Sequence, residues 1–384
     1  IIVSNVQGQS FIQAYQDRAN MVTQANITKN LQEFGSLGIK TTGSVNNTNT
    51  LNWIKNKYLS YGYSASQMEE DTFAYGNLSS KNLIITKTGT VYPNTYVIVC
   101  GHFDSIYGPG VNDNGSGTSI ILEAARILKD IPTEYSIKFI HFSGEEQGLI
   151  GSSHYVNTIA YPNNSPHMDI KVVFNIDEVG GKLGNTNDTI YCDEDQGGNT
   201  SNNAAAALVL QELIKCTTLY SPLKTAVDRA ENTDYIPFER KGAVITGYYE
   251  RILSPYPHTA NDTFANVDPV YVYNIGKATV GAIQHFATAT TTATNTMRKE
   301  DIQTMAIQSI NIYPNPVKDI VTIELPDSLV LNSFSFKITD LMGNILVETY
   351  NKTTVNVSKL SNGIYWGIIT MGNQNITKKI IIDK

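Results

Sequence analysis

Glu145 and Glu146 stand side by side in Gly144-Glu145-Glu146-Gln147-Gly148-Leu149, directly after the apolar, β-rich run 136–142. Adjacent carboxylates repel and are costly to hold close unless cations or protons compensate them. At the end of a core strand such a pair suits a division of labour, one carboxylate on a metal and the other free as a base. Other groups occupy similar places. The apolar run 96–100 leads into Gly101-His102-Phe103-Asp104-Ser105, and Asn112-Asp113-Asn114-Gly115 precedes a helical pattern from Thr118 to Lys129. A third strand-like run, 171–176, ends in Asp177-Glu178, and 243–249 is followed by Tyr256-Pro257-His258-Thr259.

Imidazole nitrogen and carboxylate oxygen together suit zinc. Two zincs with one shared carboxylate need about five side chains, and His102, Asp113, Glu146, Asp177 and His258 are the candidates. Each has a plainer reading by itself. His258 beside Pro257 could cap or sit on the surface, Asp113 could simply form a turn, and Asp177 could cap a helix. Their common place after strand ends, in the chain order one rim would give, favours the joint reading. On the residues alone, a structural carboxylate network stands level with a metal hydrolase.

The elements that must position these groups read as alternating strands and helices, which predicts a largely parallel sheet with its site beyond the strand ends. An early helical region covers 11–34, and 49–61 carries Leu51, Ile54, Tyr58 and Leu59 on one stripe. Further helices are expected over 204–215 and 271–286, and the polar stretch 195–203 is expected to overhang the site. The expected fold is α/β, a mostly parallel central sheet flanked by helices, followed by a small all-β sandwich. The boundaries predicted are 1–288 for the first domain, with 1–40 as a possible propeptide remnant, 289–306 for a Thr/Ala-rich linker and 307–384 for the sandwich.

With 28 basic and 35 acidic residues the net charge is −7. No cluster of Lys or Arg suggests nucleic acid or a membrane surface, and no apolar run approaches the roughly 18 residues of a membrane span. Three cysteines are too few for a disulfide framework. Cys100 reads as a core thiol, whereas Cys192 and Cys216 could pair in an oxidising compartment. A monomer is the expected state.

Gly101-His102-Phe103-Asp104-Ser105, Asn112-Asp113-Asn114-Gly115-Ser116-Gly117, 145–152 and Asp177, in that order, resemble the signature of the di-zinc aminopeptidase family, which also holds carboxypeptidases and glutaminyl cyclases. The similarity covers roughly residues 50–288. It implies a zinc exopeptidase-like fold and two Zn2+. Asp113 would bridge, His102 and Asp177 would complete one site, and Glu146 and His258 the other. Glu145 would be the general base, and Asp104 would accept a hydrogen bond from His102. The peptide bond after Asp113 would be cis. Tyr248 or Tyr249 would be a candidate donor to the oxyanion, against the plainer reading of a core tyrosine. Where the family often has Ser-Asp-His, this chain has Thr233-Asp234-Tyr235.

Ile312-Tyr313-Pro314-Asn315-Pro316, the 340–344 hairpin, Leu360-Ser361-Asn362-Gly363 and the closing Lys378-Lys379-Ile380-Ile381-Ile382 resemble the sorting domain of type IX secretion. That implies export by a Bacteroidetes-type bacterium, with the secretion machinery as partner and a secreted or cell-surface location. A carbohydrate-binding or adhesive sandwich is the alternative for this module. The chain as a whole then reads as a secreted aminopeptidase acting on peptides. A carboxypeptidase or dipeptidase, a glutaminyl cyclase and an inactive binding protein are the rivals. The acid-rich surroundings, with Glu145, Glu146, Asp177, Glu178, Asp193, Glu194 and Asp195, favour a substrate ammonium over a substrate carboxylate.

Overall fold

The computed structural model describes residues 10–291, 310–325, 333–340, 343–371 and 374–384. The chain divides into two compact units, Ile1–Ala293 and Thr294–Lys384. The expected linker 289–306 lies mostly outside the described residues.

Three helices open the first unit: α1 (Gln13–Ala19), α2 (Gln24–Ser36) and α3 (Val45–Ser60). The single helical region expected over 11–34 is broken because Thr23 caps α2, its side chain accepting the Asn26 N–H. Helix α3 buries Leu51, Ile54 and Tyr58, but Leu59 is exposed. Next come β1 (Met68–Tyr75), β2 (Leu78–Lys87), β3 (Tyr92–His102), α4 (Gly115–Leu128), β4 (Tyr135–Phe142) and α5 (Ile150–Tyr155). The unit closes with β5 (Asp169–Ile176), β6 (Thr189–Glu194), α6 (Asn203–Tyr220), β7 (Lys224–Arg229), α7 (Ile236–Glu239), β8 (Ile245–Glu250) and α8 (Pro269–Phe286).

These strands form an 8-stranded sheet in the order β1-β2-β4-β3-β5-β8-β6-β7. Its centre, β4-β3-β5-β8, is parallel. Both flanks attach antiparallel, β2 to β4 and β6 to β8, so the sheet is mixed around a parallel core. Both faces of that core are covered, which is why its strands read as continuous apolar runs instead of alternating. On one face Ile98, Cys100, Ile140, Phe142, Val173 and Ile245 pack with Tyr155 and Phe238. On the other, Phe174 meets Phe286 of α8 edge to face, ring centroids 5.7 Å apart. Helices α1 and α2 pack on α8 and α4, so the segment 13–36 is part of this unit's core. All three cysteines are buried free thiols.

Parallel alignment brings the C-terminal ends of β3, β4, β5 and β8 to one edge. There Asn114 caps α4, accepting the Gly117 N–H at 2.9 Å, so Asp113 is presented at the start of that helix. The close approach of α4 to β5 requires Gly117, where a Cβ would stand 2.2 Å from the Ile176 carbonyl oxygen.

The second unit is all-β. Strands β9 (Asn311–Tyr313), β10 (Ile320–Glu324) and β13 (Thr354–Asn356) form one sheet; β11 (Ser335–Thr339), β12 (Ile345–Tyr350), β14 (Gly363–Met371) and β15 (Gln374–Ile382) form the other. Val321, Ile323 and Val355 from the first share one hydrophobic cluster with Phe336, Ile338, Ile369 and Ile380 from the second. This is the small sandwich expected. Within the 340–344 hairpin, Leu341 and Met342 lie outside the described residues.

Candidate metal centre

The five predicted ligands, far apart in sequence, converge at the edge just described. His102, Asp113 and Asp177 form one group of potential ligand atoms, and Asp113, Glu146 and His258 a second; within each the atoms lie within 4.8 Å of one another. Asp113 belongs to both. Its Oδ1 is 3.2 Å from His102 Nε2 and its Oδ2 is 3.0 Å from His258 Nε2. His102 Nε2 is also 3.2 Å from Asp177 Oδ1, and His258 Nε2 is 2.7 Å from Glu146 Oε2. Glu145 stands outside both groups, its Oε2 4.0 Å from His102 Nε2. The peptide bond Asp113–Asn114 is cis.

The surroundings orient each group. Gly144, at φ +80, turns the chain out of β4 so that Glu145 and Glu146 follow at once. Buried Asp104 accepts the backbone N–H of Glu145 with Oδ1 at 3.3 Å and that of Glu146 with Oδ2 at 3.2 Å. His102 Nδ1 lies 3.2 Å from the Asp104 carbonyl oxygen and 3.6 Å from its carboxylate. The Asp104 carboxylate therefore fixes the paired glutamates more directly than it fixes the imidazole.

Sequence reasoning missed Asp262, which does for Asp113 what Asp104 does for the glutamates. It is buried, and it accepts the Asn112 N–H at 2.6 Å and the Asp113 N–H at 3.0 Å. Nothing in Asn261-Asp262-Thr263 distinguishes it from a surface loop; its partners are 150 and 149 positions away. In the sequence Thr233 stands out only as part of a departure from the family pattern. Its hydroxyl donates to Asp177 Oδ2 at 2.6 Å, leaving Oδ1 toward His102.

Neither tyrosine considered as an oxyanion donor is free at the site. Tyr248 is buried, with its hydroxyl 2.5 Å from that of Thr217. Tyr249 donates to Glu178 Oε1 at 2.5 Å. The acidic surroundings are also narrower than expected. Asp193 accepts from the Tyr235 hydroxyl, 42 positions away, and Asp195 accepts from Gly197 N–H and Asn202 within its own loop. Beyond the candidate ligands and Glu145, burial and then Asp113 and Asp177 raise Glu178 to about 9.

Electrostatics shows what the cluster needs. Burial raises Asp113, but hydrogen bonds from His102 and His258 outweigh it and hold the group down at about 2. Burial pushes Glu145 up to about 10 against the pull of His102, and Glu146 up to about 8, with Asp113 adding to the push. His258 rises to about 9 through its hydrogen bond to Asp113. Glu146 Oε1 is buried with no hydrogen-bond partner among the described residues, a costly condition for a carboxylate oxygen. Crowded carboxylates with imidazoles call for cations, and this nitrogen–oxygen donor set fits zinc.

Residues 82–283 match the model of Peptidase family M28, and residues 311–383 match that of the Secretion system C-terminal sorting domain. Aminopeptidase YwaD of Bacillus subtilis strain 168 is 29% identical over 236 residues, covering 58% of this chain and 49% of YwaD. Leupeptin-inactivating enzyme 1 of Streptomyces exfoliatus is 26% identical over 234 residues, covering 59% of this chain and 49% of that protein. The chain thus spans about half the length of these curated relatives. Among solved structures, the Legionella pneumophila LapA aminopeptidase superposes with a TM-score of 0.62 at 21% identity, covering 75% of this chain and 78% of that one. Macrostomum lignano glutaminyl cyclase gives 0.62 at 15% identity, covering 76% and 97%. At such identities the likeness concerns the fold.

Proposed function

The chain belongs to peptidase family M28, and from that premise we propose that it is a secreted aminopeptidase that removes the N-terminal residue of peptides with two zinc ions and Glu145 as general base. The observation that carries this reading is the division at the site. Two groups of nitrogen and oxygen donors share Asp113, while Glu145 stays outside both, next to His102. His102, Asp113 and Asp177 would hold one ion, and Asp113, Glu146 and His258 the other. Zinc, when bound, supplies Lewis-acid polarisation of the scissile carbonyl and lowers the pKa of the attacking water.

The chain's own part follows from its geometry. Glu145 takes the proton of the attacking water on its carboxylate and returns it to the departing amine. Asp104, through the Glu145 and Glu146 amides, fixes base and ligand relative to each other. Glu178, oriented by Tyr249, is the carboxylate to receive the substrate's α-ammonium; burying that charge unpaired would cost several kcal/mol. The C-terminal sorting domain supports export through type IX secretion. No helix among the described residues is long and apolar enough to cross a membrane.

Zinc analysis together with hydrolysis of an aminoacyl anilide tests the proposal. The purified protein should carry close to two zinc equivalents, and Asp113→Ala should lose both. Glu145→Gln should keep its zinc and fold while kcat falls about 10²–10⁴-fold. N-acetylation of the substrate should abolish cleavage. Full zinc retention by Asp113→Ala, wild-type turnover by Glu145→Gln, or cleavage of an N-acetylated peptide from its C-terminal end would each overturn the corresponding part.

A further inference from the structure

A cavity of about 900 Å³ lies between the loop after β6 and the segment joining β7 to α7. Its walls include Asn199, Arg229, Glu231, Asn232 and Arg240. Thr233, the residue after Asn232, donates its hydroxyl to Asp177 of the metal cluster at 2.6 Å. One wall therefore begins a single residue, about 3.8 Å of backbone, from a side chain that touches the cluster. Each extended peptide residue spans about 3.3–3.6 Å, so a peptide held at the metals reaches this cavity within a few residues. Its volume is that of a ligand site, which typically measures about 300–1,000 Å³.

The loop forming the other wall is built, not loose. Asp195 ties its two ends by accepting the Gly197 N–H at 2.9 Å and the Asn202 side-chain amide at 2.7 Å. Asn202 in turn donates to the Ala243 carbonyl at 2.6 Å. From beneath, buried Glu239 accepts the Asn199 N–H at 2.8 Å.

Two arginines face this space, and neither guanidinium has a hydrogen-bond or ion-pair partner among the described residues. Neither acid in the same walls pairs with them. Glu239 is committed to Asn199. Burial, then Asp228 and Asp177, raises Glu231 above the ordinary carboxylate range. A guanidinium stays charged and presents a planar fork that matches a carboxylate.

We propose that this cavity is a downstream subsite in which Arg229 and Arg240 bind a carboxylate of the peptide substrate, from its C-terminus or from an acidic side chain. The inference rests on the peptidase reading and deepens it: the metal end takes the ammonium, and the far end takes an anion. It favours short peptides or peptides with acidic residues just beyond the scissile bond.

Binding tests this separately from catalysis. The zinc-loaded Glu145→Gln protein would be titrated calorimetrically with Leu-Ala-Ala, Leu-Ala-Ala-amide and Leu-Ala-Glu-amide. Tighter binding of the first over the second reports a C-terminal carboxylate, and of the third over the second an acidic side chain. At least one preference should be about tenfold and should weaken with added salt. Arg229→Ala combined with Arg240→Ala should reduce it to about twofold or less. Both arginines are exposed, so the double variant should fold. Equal binding of all three peptides, or a preference that survives in the double variant, would overturn the proposal. Aminoacyl anilide hydrolysis by the unsubstituted protein reports independently on the aminopeptidase reading.

Discussion

Asp262 offers the sharpest test of how the centre is held, because its carboxylate makes its hydrogen bonds to the backbone amides of two residues and none to a candidate metal donor atom. Replacing it with Ala removes its hydrogen bonds to the N–H groups of Asn112 and Asp113 and leaves both donors buried. Hydrogen bonds to a charged group contribute about 1.5–3 kcal/mol each, so Asp262→Ala should destabilise the fold by about 3–6 kcal/mol. That is a large share of the about 5–15 kcal/mol that typically separates folded from unfolded chains. Asp262→Asn keeps the shape and one acceptor oxygen but turns an NH2 toward the second amide, and it should cost about half as much. Zinc affinity should fall about 10–100-fold in either variant, the usual effect of losing a group that orients a ligand. Urea unfolding and competition with a chromogenic chelator would read the two quantities. Asn261→Ala, at the exposed neighbour, is the control and should change stability by no more than about 0.5 kcal/mol. If Asp262→Asn matched the parent protein in both midpoint and zinc affinity, the positioning role would be refuted.

Two further expectations concern the rest of the chain. His141 is buried, bonded through Nε2 to the Tyr58 hydroxyl at 2.9 Å, and burial pushes its imidazole down to about 3. An unfolded His takes up its proton near pH ~6.5, so between that pH and about 3 the unfolded state binds more protons and stability is lost as pH falls. The slope approaches about 1.4 kcal/mol per pH unit. His141→Gln should flatten the pH dependence of unfolding in chelator, and an unchanged slope would count against it. A chain ending at Thr291 should keep its peptidase activity, because no candidate ligand lies beyond His258. Its inactivity while well folded would show that the second unit contributes to the site.

The parallel core and the ligand set were legible because one physical feature produced both signals. Doubly covered strands read as apolar runs, and a polar residue that ends such a run, as His102 and Asp177 do, stands out. The flanking strands gave no such signal. β1 begins Met68-Glu69-Glu70-Asp71, and buried Asp71 has partners that only the fold supplies: Asn82 donates to it at 2.8 Å across the hairpin, and His154 Nε2 lies 3.1 Å away. Asp262 and Thr233 act through partners that only the fold supplies, so their local sequences resemble ordinary loops. The acidic run 193–195 misled in the opposite direction: its side chains are spent on Tyr235 and on closing their own loop.

The reversed attachment of β6 to β8 has an evolutionary consequence. The metal-holding groups hang from the parallel centre, where a one-residue slip would move every ligand at once. The cavity walls hang instead from β6 and β7, the outermost pair of the sheet, and reach the cluster through Thr233. A change of charge in 195–203 or 229–231 thus alters the cavity without replacing a candidate ligand, whereas a change at Asn232 borders Thr233 and through it Asp177. If the cavity is the downstream subsite proposed above, its preference can change while the five candidate ligands stay in place.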